Sequence, residues 1–473
     1  DTTIVPDRQT PIITVTADDL DSELGGQDVS GILQSSRDIF ISTAGFNFGS
    51  ARFRIRGYDS DNTLVTMNGV MVNDLESGWA SWSDWGGLND VTRYTSVTAG
   101  VGPTNFNFGS IGGTSDINIR PGAVRKGIRV SYASANRSYN NRIMLSGSTG
   151  VMKNGWNVSF SGSRRWAQEG YVPGTPFNAY AYYLAAEKQL SKKHAVSFAG
   201  FGAPIVRGRQ GLAIQEAYDL AGTNYYNPNW GYQDGEVRNA RMTFDHKPLV
   251  MASHIFTPTD SVTLTTTVFY AFGRDGSTQL NWFDAQDPRP DYYRYLPSYN
   301  ALQDPGLAAQ QAVSWSSDPS VQQLNWDQFY FANDKNLYTV ENANGSGTSV
   351  TGNRSKYIVE EQRADPKRIG LNSVYRKNLL NNRHITVALN FNRQSTHYFN
   401  VLDDLLGGDF WVDIDQFADR DFDDPIISQN DLSTPNKVAK EGDVIGWDYN
   451  IVTRATSLFG QYEKKWQKVE VYA

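Results

Sequence analysis

From residue 127 onward, apolar and polar side chains take turns. GIRVSYASAN (127–136) places Ile128, Val130 and Tyr132 on one face of a strand. NGWNVSFSGSRRW (154–166) sets Trp156, Val158 and Phe160 against Asn157, Ser159 and Ser161. The same pattern returns with Tyr180, Tyr182 and Leu184, with Val262, Leu264, Val268 and Tyr270, and with Ile385, Val387, Leu389 and Phe391. A period of two marks a strand with unlike faces. About eleven strands are predicted on this basis, starting near residues 127, 142, 156, 179, 195, 239, 261, 366, 384, 450 and 467.

The connections alternate in length as well. KNG (153–155), SKKH (191–194), TPTD (257–260), LLNNR (379–383) and KKWQ (464–467) are tight, whereas 166–178, 203–238, 274–364 and 396–449 are long. Strands of about ten residues cross a bilayer when tilted, and membrane barrels carry short turns at one rim and long loops at the other. The pattern predicts an all-β transmembrane antiparallel barrel, with a soluble multi-sheet protein as the competing architecture. The strand count is odd, and KVEVYA (468–473) stops part-way up. An open edge in lipid would leave about ten backbone groups unpaired, at several kcal/mol each. The chain is therefore expected to supply about half of a larger barrel, in preference to one that a second chain completes.

Composition agrees with a barrel. The 473 residues are 39% hydrophobic and 13% aromatic, with 42 Gly and no Cys, and the mean hydropathy is -0.49. That is poor in apolar residues yet rich in rings, as expected when only alternate strand positions meet lipid. The net charge of -7 comes with no basic stripe, which argues against nucleic acid as a partner. Without Cys there are no disulfides, thiolate metal sites or Cys nucleophiles. No apolar run is long enough for a membrane helix, and no signal peptide remains at Asp1. His194, His246, His254, His384 and His397 form no HExxH or paired metal spacing, and no Ser-His-Asp set stands out. Neither an enzyme nor a cofactor is read from the chain.

Residues 1–125 are different, being denser in Gly, Asn, Asp and Ser. Asp28 is a fitting N-cap for VSGILQSS, whose Val29, Ile32 and Leu33 share a helical face. RFRIRGYDSDNTLVTMNGVMVND (52–74) reads as strand, turn, strand, with Arg52, Arg54 and Arg56 on one face and Phe53 and Ile55 on the other. The glycines of 91–121 lack both GxxxxGK[ST] and GxGxxG spacing, so they mark tight turns rather than a phosphate cradle.

FRIRGYD (53–59), MNGVMVND (67–74) and VTAGVGPTNFNFGSIGGTSDINIRP (97–121), in that order, resemble the plug domain of TonB-dependent outer-membrane receptors. The resemblance implies a barrel with an N-terminal α+β plug inside it, set in the lipid of the bacterial outer membrane. Such a protein imports a scarce nutrient with energy relayed through TonB. It divides the chain into a TonB-box-like segment at 1–10, a plug at 11–125 and an incomplete barrel at 126–473, with about half of the family's strands present.

The same resemblance assigns roles. Asp1, Thr2, Thr3, Ile4 and Val5 look like the TonB box, a strand edge to which the energy-coupling protein adds, with Pro6 ending the pairing. VTA at 15–17 echoes the family's wording a little further on. Arg52, Arg54 and Arg56 are expected to reach carboxylates of the barrel wall, which suit the guanidinium fork. Trp79, Trp82 and Trp85 fall on a plug loop that floors the ligand cavity, and Trp282, Tyr292, Tyr293 and Tyr295 fall on a long external loop. Both sets suit ligand contact, the alternative being that they pack the plug or the loop itself. Asp413, Asp415, Asp419 and Asp421, in an acidic stretch, are a candidate calcium site without EF-hand spacing; a solvated charged loop is the alternative. The wording of glycan receptors that work with a surface lipoprotein lid is missing, and a lipoprotein or other subunit stays an open partner. Import of a nutrient is the leading function. A plugged barrel serving as a structural subunit of a larger surface complex is the second.

Overall fold

The structure is a computed structural model that describes residues 41–473, apart from 48–49, 56, 93–94, 105, 136–138 and 467–468. The helix expected after Asp28 and the box-like segment 1–10 lie outside the described residues.

Among the described residues one antiparallel wall dominates, built from fourteen hydrogen-bonded segments. Three of its staves are each broken once, so the fourteen segments make eleven staves. These are Gly127–Ser134, Asn141–Ser148, Trp156–Ala167 and Phe177–Gln189. The fifth is His194–Gly202 continued by Ile205–Gly208, and the sixth is Met242–His246 continued by Leu249–Thr259. The seventh is Val262–Phe272 continued by Arg274–Trp282. Tyr357–Leu379, Arg383–Asp404, Val444–Lys465 and Glu470–Tyr472 complete the wall.

The three breaks lie beside one another and explain where the sequence pattern misplaced the loops. Pro204 interrupts the fifth stave and Pro248 the sixth. Gly273 interrupts the seventh where a Cβ would collide with the carbonyl oxygen of His246. Across the breaks the ladder is carried by single bonds: Tyr180 N–H to Pro204 O at 2.9 Å, Phe272 N–H to Pro248 O at 3.2 Å, and Gly273 N–H to Pro366 O at 3.1 Å. The alternation ends loops and strands at 203, 274, 366 and 450. The staves run on to Gly208 and Trp282 and begin again at Tyr357 and Val444, because each has a neighbour that keeps the pairing going.

The eighth, ninth and tenth staves have 23, 22 and 22 residues, about twice what a tilted strand needs to cross lipid. Their upper parts stand above the membrane with the long connections, which have cores of their own. Trp326, Phe329, Tyr357 and Leu406 form one, and Ala217, Tyr226, Leu296 and Trp315 another. Helices Pro305–Ser317 and Trp326–Asp334 in this collar are N-capped by Asp304 and Asn325. On the outer face Ile128, Val130, Leu184, Phe198, Val268, Leu389 and Leu458 are exposed, as a lipid band requires. No helix is long and apolar enough to cross a membrane among the described residues.

The described part of the plug opens with a hairpin of β1 (Ile41–Asn47) and β2 (Ser50–Ile55). A mixed sheet follows, made of β3 (Leu64–Met67), β4 (Val70–Met71), β5 (Thr95–Ala99) and β6 (Gly113–Ile117), in the order β4-β3-β6-β5. Asn68 and Gly69 both have positive φ, 48° and 83°, which closes β3 onto β4. The plug meets one face of the wall from the second stave (Ser146) to the tenth (Gln461), so the wall wraps around it.

A barrel's lumen is ordinarily polar, but here only part of the inner wall is. Ala181, Tyr183, Ala185, Ala199, Phe201, Leu249, Met251 and Phe269, from the fourth to seventh staves, share a core with Val65, Met67, Leu88, Val91, Ile117 and Ile119 of the plug. The alanines let the plug sheet approach closely enough to exclude water, and the inward positions of these staves behave as a protein core.

Candidate ligand cavity between plug and wall

After β4 the plug chain makes a tight loop, held from below by a buried amide. Asn73 Oδ1 accepts from Val65 N at 2.8 Å, and its Nδ2 donates to the carbonyls of Thr63 and Gly78, both at 2.8 Å. Asp74 closes the loop by accepting from the backbone of Glu76 and Ser77 and from the Ser77 hydroxyl. Burial pulls on the Asp74 carboxyl in the upward direction, but these bonds and one from Gln394 outweigh it and hold the group below the usual range. Glu76 and Trp79 are thereby turned towards the wall and the space above.

The ninth stave answers with three successive inward positions. Gln394 Nε2 donates to Asp74 Oδ2 at 2.6 Å, while its Oε1 accepts from Leu75 N at 3.2 Å. Thr396 Oγ1 donates to Glu76 Oε1 at 2.7 Å and Tyr398 Oη to Glu76 Oε2 at 2.8 Å. From the eighth stave the buried Arg368 donates to Asn73 O at 2.6 Å. Where the staves break, Lys247 sits 3.6 Å from Asp84 of the plug, 3.3 Å from Asp245 and 3.0 Å from Asp275. Burial, with Asp245 and Asp275 adding to it, pushes the Asp84 carboxyl well above its usual range in spite of Lys247.

These groups enclose a cavity of about 270 Å³ lined by Asp74, Glu76, Trp79, Asp84 and Trp85 of the plug, and by Lys247, Phe269, Phe272, Arg368 and Tyr398 of the wall. Of the three predicted tryptophans, Trp79 is 38% exposed at its edge and Trp85 is 2% exposed, while Trp82 packs against Trp85 with ring centroids 5.2 Å apart. Trp282 lines a second cavity, of about 400 Å³, in the collar. Tyr292, Tyr293 and Tyr295 pack edge-on against each other, and Tyr295 Oη donates to Asp287 O. They hold their own loop together.

Other predicted residues are placed as follows. Arg52 and Arg54 lie on β2 and Arg56 just after it; their side chains, like Asp1, Thr2, Thr3, Ile4 and Val5, are outside the described residues. A plug arginine that joins the wall is Arg120, with Nε and Nη2 each 2.7 Å from the two oxygens of Glu187 on the fourth stave. It lies in NIRP, the last motif of the plug. The calcium candidates are dispersed. Asp413 is buried and accepts from Asn430 and from Gly446 N, Asp415 caps Gln416–Asp421, and Asp421 pairs with Arg420. Asp419 is on that short helix, and no group of three His, Cys, Asp or Glu placed to hold a metal occurs among the described residues. Gln394, Thr396 and Tyr398 are alternate positions that continue the strand of Ile385–Phe391, and nothing local in the sequence marks them as site residues.

Residues 6–114 match the TonB-dependent Receptor Plug Domain. The match covers the plug, and for the wall around it the chain has a likeness of fold alone. Its fold resembles three solved receptors. Against the unliganded ferric citrate transporter FecA the TM-score is 0.52 at 11% identity, covering 95% of this chain and 55% of that one. The ferripyoverdine receptor of the Pseudomonas aeruginosa outer membrane, bound to ferripyoverdine, gives 0.52 at 10%, covering 97% and 50%. The open form of the ferric-catecholate import receptor Fiu from E. coli K12 gives 0.53 at 9%, covering 95% and 56%. The likeness is one of fold, and this chain spans about half the length of those three structures. No curated protein matches it in sequence.

Proposed function

We propose that this receptor imports a nutrient by energy-coupled movement of its plug. The observation that carries the reading is the seam along the eighth to tenth staves. There the plug loop is held by hydrogen bonds from Gln394, Thr396, Tyr398 and Arg368, directly beside a cavity that opens onto the same loop. Such bonds to charged groups exchange with water at a net cost of about 1.5–3 kcal/mol each, so a pull on the plug can release them one after another. Two states of the plug, closed and permissive, follow, with force selecting between them. TonB is the partner, acting through strand addition to Asp1–Val5. The three fold relatives take iron complexes; at this identity their cargo does not carry over.

The test is Thr3→Pro or Ile4→Pro, each of which removes a backbone donor from the added strand. Uptake should stop while binding of cargo to the purified receptor is unchanged. Continued uptake would refute energy coupling through this segment. The collar favours a second reading, a subunit of a larger surface complex, because Leu212, Leu302, Phe331 and Leu337 are all more than half exposed. Co-purification of a further polypeptide that is lost on Leu302→Asp and Leu337→Asp would support it.

A further inference from the structure

We propose that the cavity between plug and wall takes a short cationic peptide. The inference rests on the import reading and names its cargo class. Four carboxylates line the cavity (Asp74, Glu76, Asp84 and Asp275) against two cations, Lys247 and Arg368. Both cations are engaged by the protein itself. Lys247 is shared among Asp84, Asp245 and Asp275. Arg368 donates to Asn73 O and to Asn392 Oδ1 at 3.0 Å, and lies over the Phe269 ring at 5.4 Å. Among the described residues, every hydrogen-bond donor to Asp74 and Glu76 is neutral: backbone N–H, Ser77, Gln394, Thr396 and Tyr398. Arg368 acts on Asp74 through its charge, whereas Glu76, among the described residues, is met by neutral donors alone.

A second observation is independent of the acids. Trp85 is 2% exposed and lines the cavity, yet its Nε1 has no hydrogen-bond partner. An indole N–H can only donate, so the missing group is an acceptor. The cavity thus asks for a cation, an acceptor and apolar surface in one molecule. A peptide with an arginine or lysine supplies all three. Its ammonium or guanidinium answers Glu76 and Asp74, a backbone carbonyl accepts from Trp85, and the side-chain stem lies along Trp79 and Phe272. An anionic chelate would set like charges together. A neutral saccharide would satisfy the rings and Trp85 but leave the carboxylates unanswered.

The experiment titrates the full receptor, purified in detergent, with acetylated and amidated tri-arginine, tri-alanine and tri-glutamate peptides, and with maltotriose and ferric citrate. Tri-arginine should bind most tightly. Glu76→Gln should weaken it about tenfold or more, the worth of a hydrogen bond to a charged group, without changing tri-alanine. Trp79→Ala, at an exposed position, should weaken it also and guards against a folding defect in the first variant. Tighter binding of tri-glutamate, ferric citrate or maltotriose, no binding of tri-arginine, or indifference to Glu76→Gln would each overturn the inference. Import dependent on residues 1–5 would still stand in those cases. Loss of that dependence removes the import reading whichever peptide binds.

Discussion

The plug is held by two unlike sides of one wall. Against the fourth to seventh staves it shares a dry core, in which Phe269, Met251 and Leu249 meet Met67, Leu88 and Ile119. Against the eighth to tenth staves it is held mainly by polar groups, beside one apolar contact of Phe106 and Phe108 with Val374, Ala388 and Phe459. Gln394, Thr396 and Tyr398 grip the loop at Asp74–Glu76, and Gln461 exchanges bonds of 3.1 Å with both Thr104 N and Thr104 O. Apolar burial is not directional and is lost only when the surfaces part. Hydrogen bonds are directional and are readily replaced by water. The first side therefore acts as an anchor and the second as a seam that opens, with the cavity between them touching both.

That contrast can be broken or sharpened by measurement. The largest effect is expected for Phe269→Ala, since the ring is buried in the shared core and also covers Gly370, which faces it across the ladder. A loss of about 3 kcal/mol in plug seating follows from removing a buried ring, read as faster protease nicking of the plug in the folded receptor. Gln394→Ala comes next. It leaves Leu75 N without its acceptor and removes a donor from Asp74, worth about 1–3 kcal/mol. Hydrogen exchange should rise at the Leu75 amide and stay unchanged at Met67, which is in the anchor. If both amides speed up together, the two sides are one cooperative unit and the comparison fails. Arg120→Lys should have the smallest effect. It gives up the two-pronged contact with Glu187, but Arg120 is 39% exposed and a pair of this kind is worth about 0.5 kcal/mol, less in high salt. Sensitivity of plug seating to salt should fall in this variant and not in Gln394→Ala.

Much of the architecture was legible along the chain. Ile128, Val130 and Tyr132, or Tyr180, Tyr182 and Leu184, declare an outward face by parity alone, because alternate side chains of any strand point to opposite sides. The tight turns at 153–155 and 379–383 and the plug wording from FRIRGYD to NIRP are equally local. The site was less legible. Trp79 and Trp85 were chosen for their rings, and both line the cavity. Tyr292, Tyr293 and Tyr295, chosen on the same ground, pack against one another. A ring has the same identity whether it faces a ligand or a neighbour.

What the sequence determined by itself was the period, the number of staves, the rim that carries the loops and the presence of a plug, all of which depend on residues close together in the chain. Only the tertiary structure decided that part of the inner wall shares a core with the plug while another part meets it mainly through polar groups, and that Leu75 meets Gln394. Parity tells a residue which side of the wall it faces. What it finds there depends on how the wall curves around the plug, and that is set by pairings between segments hundreds of residues apart.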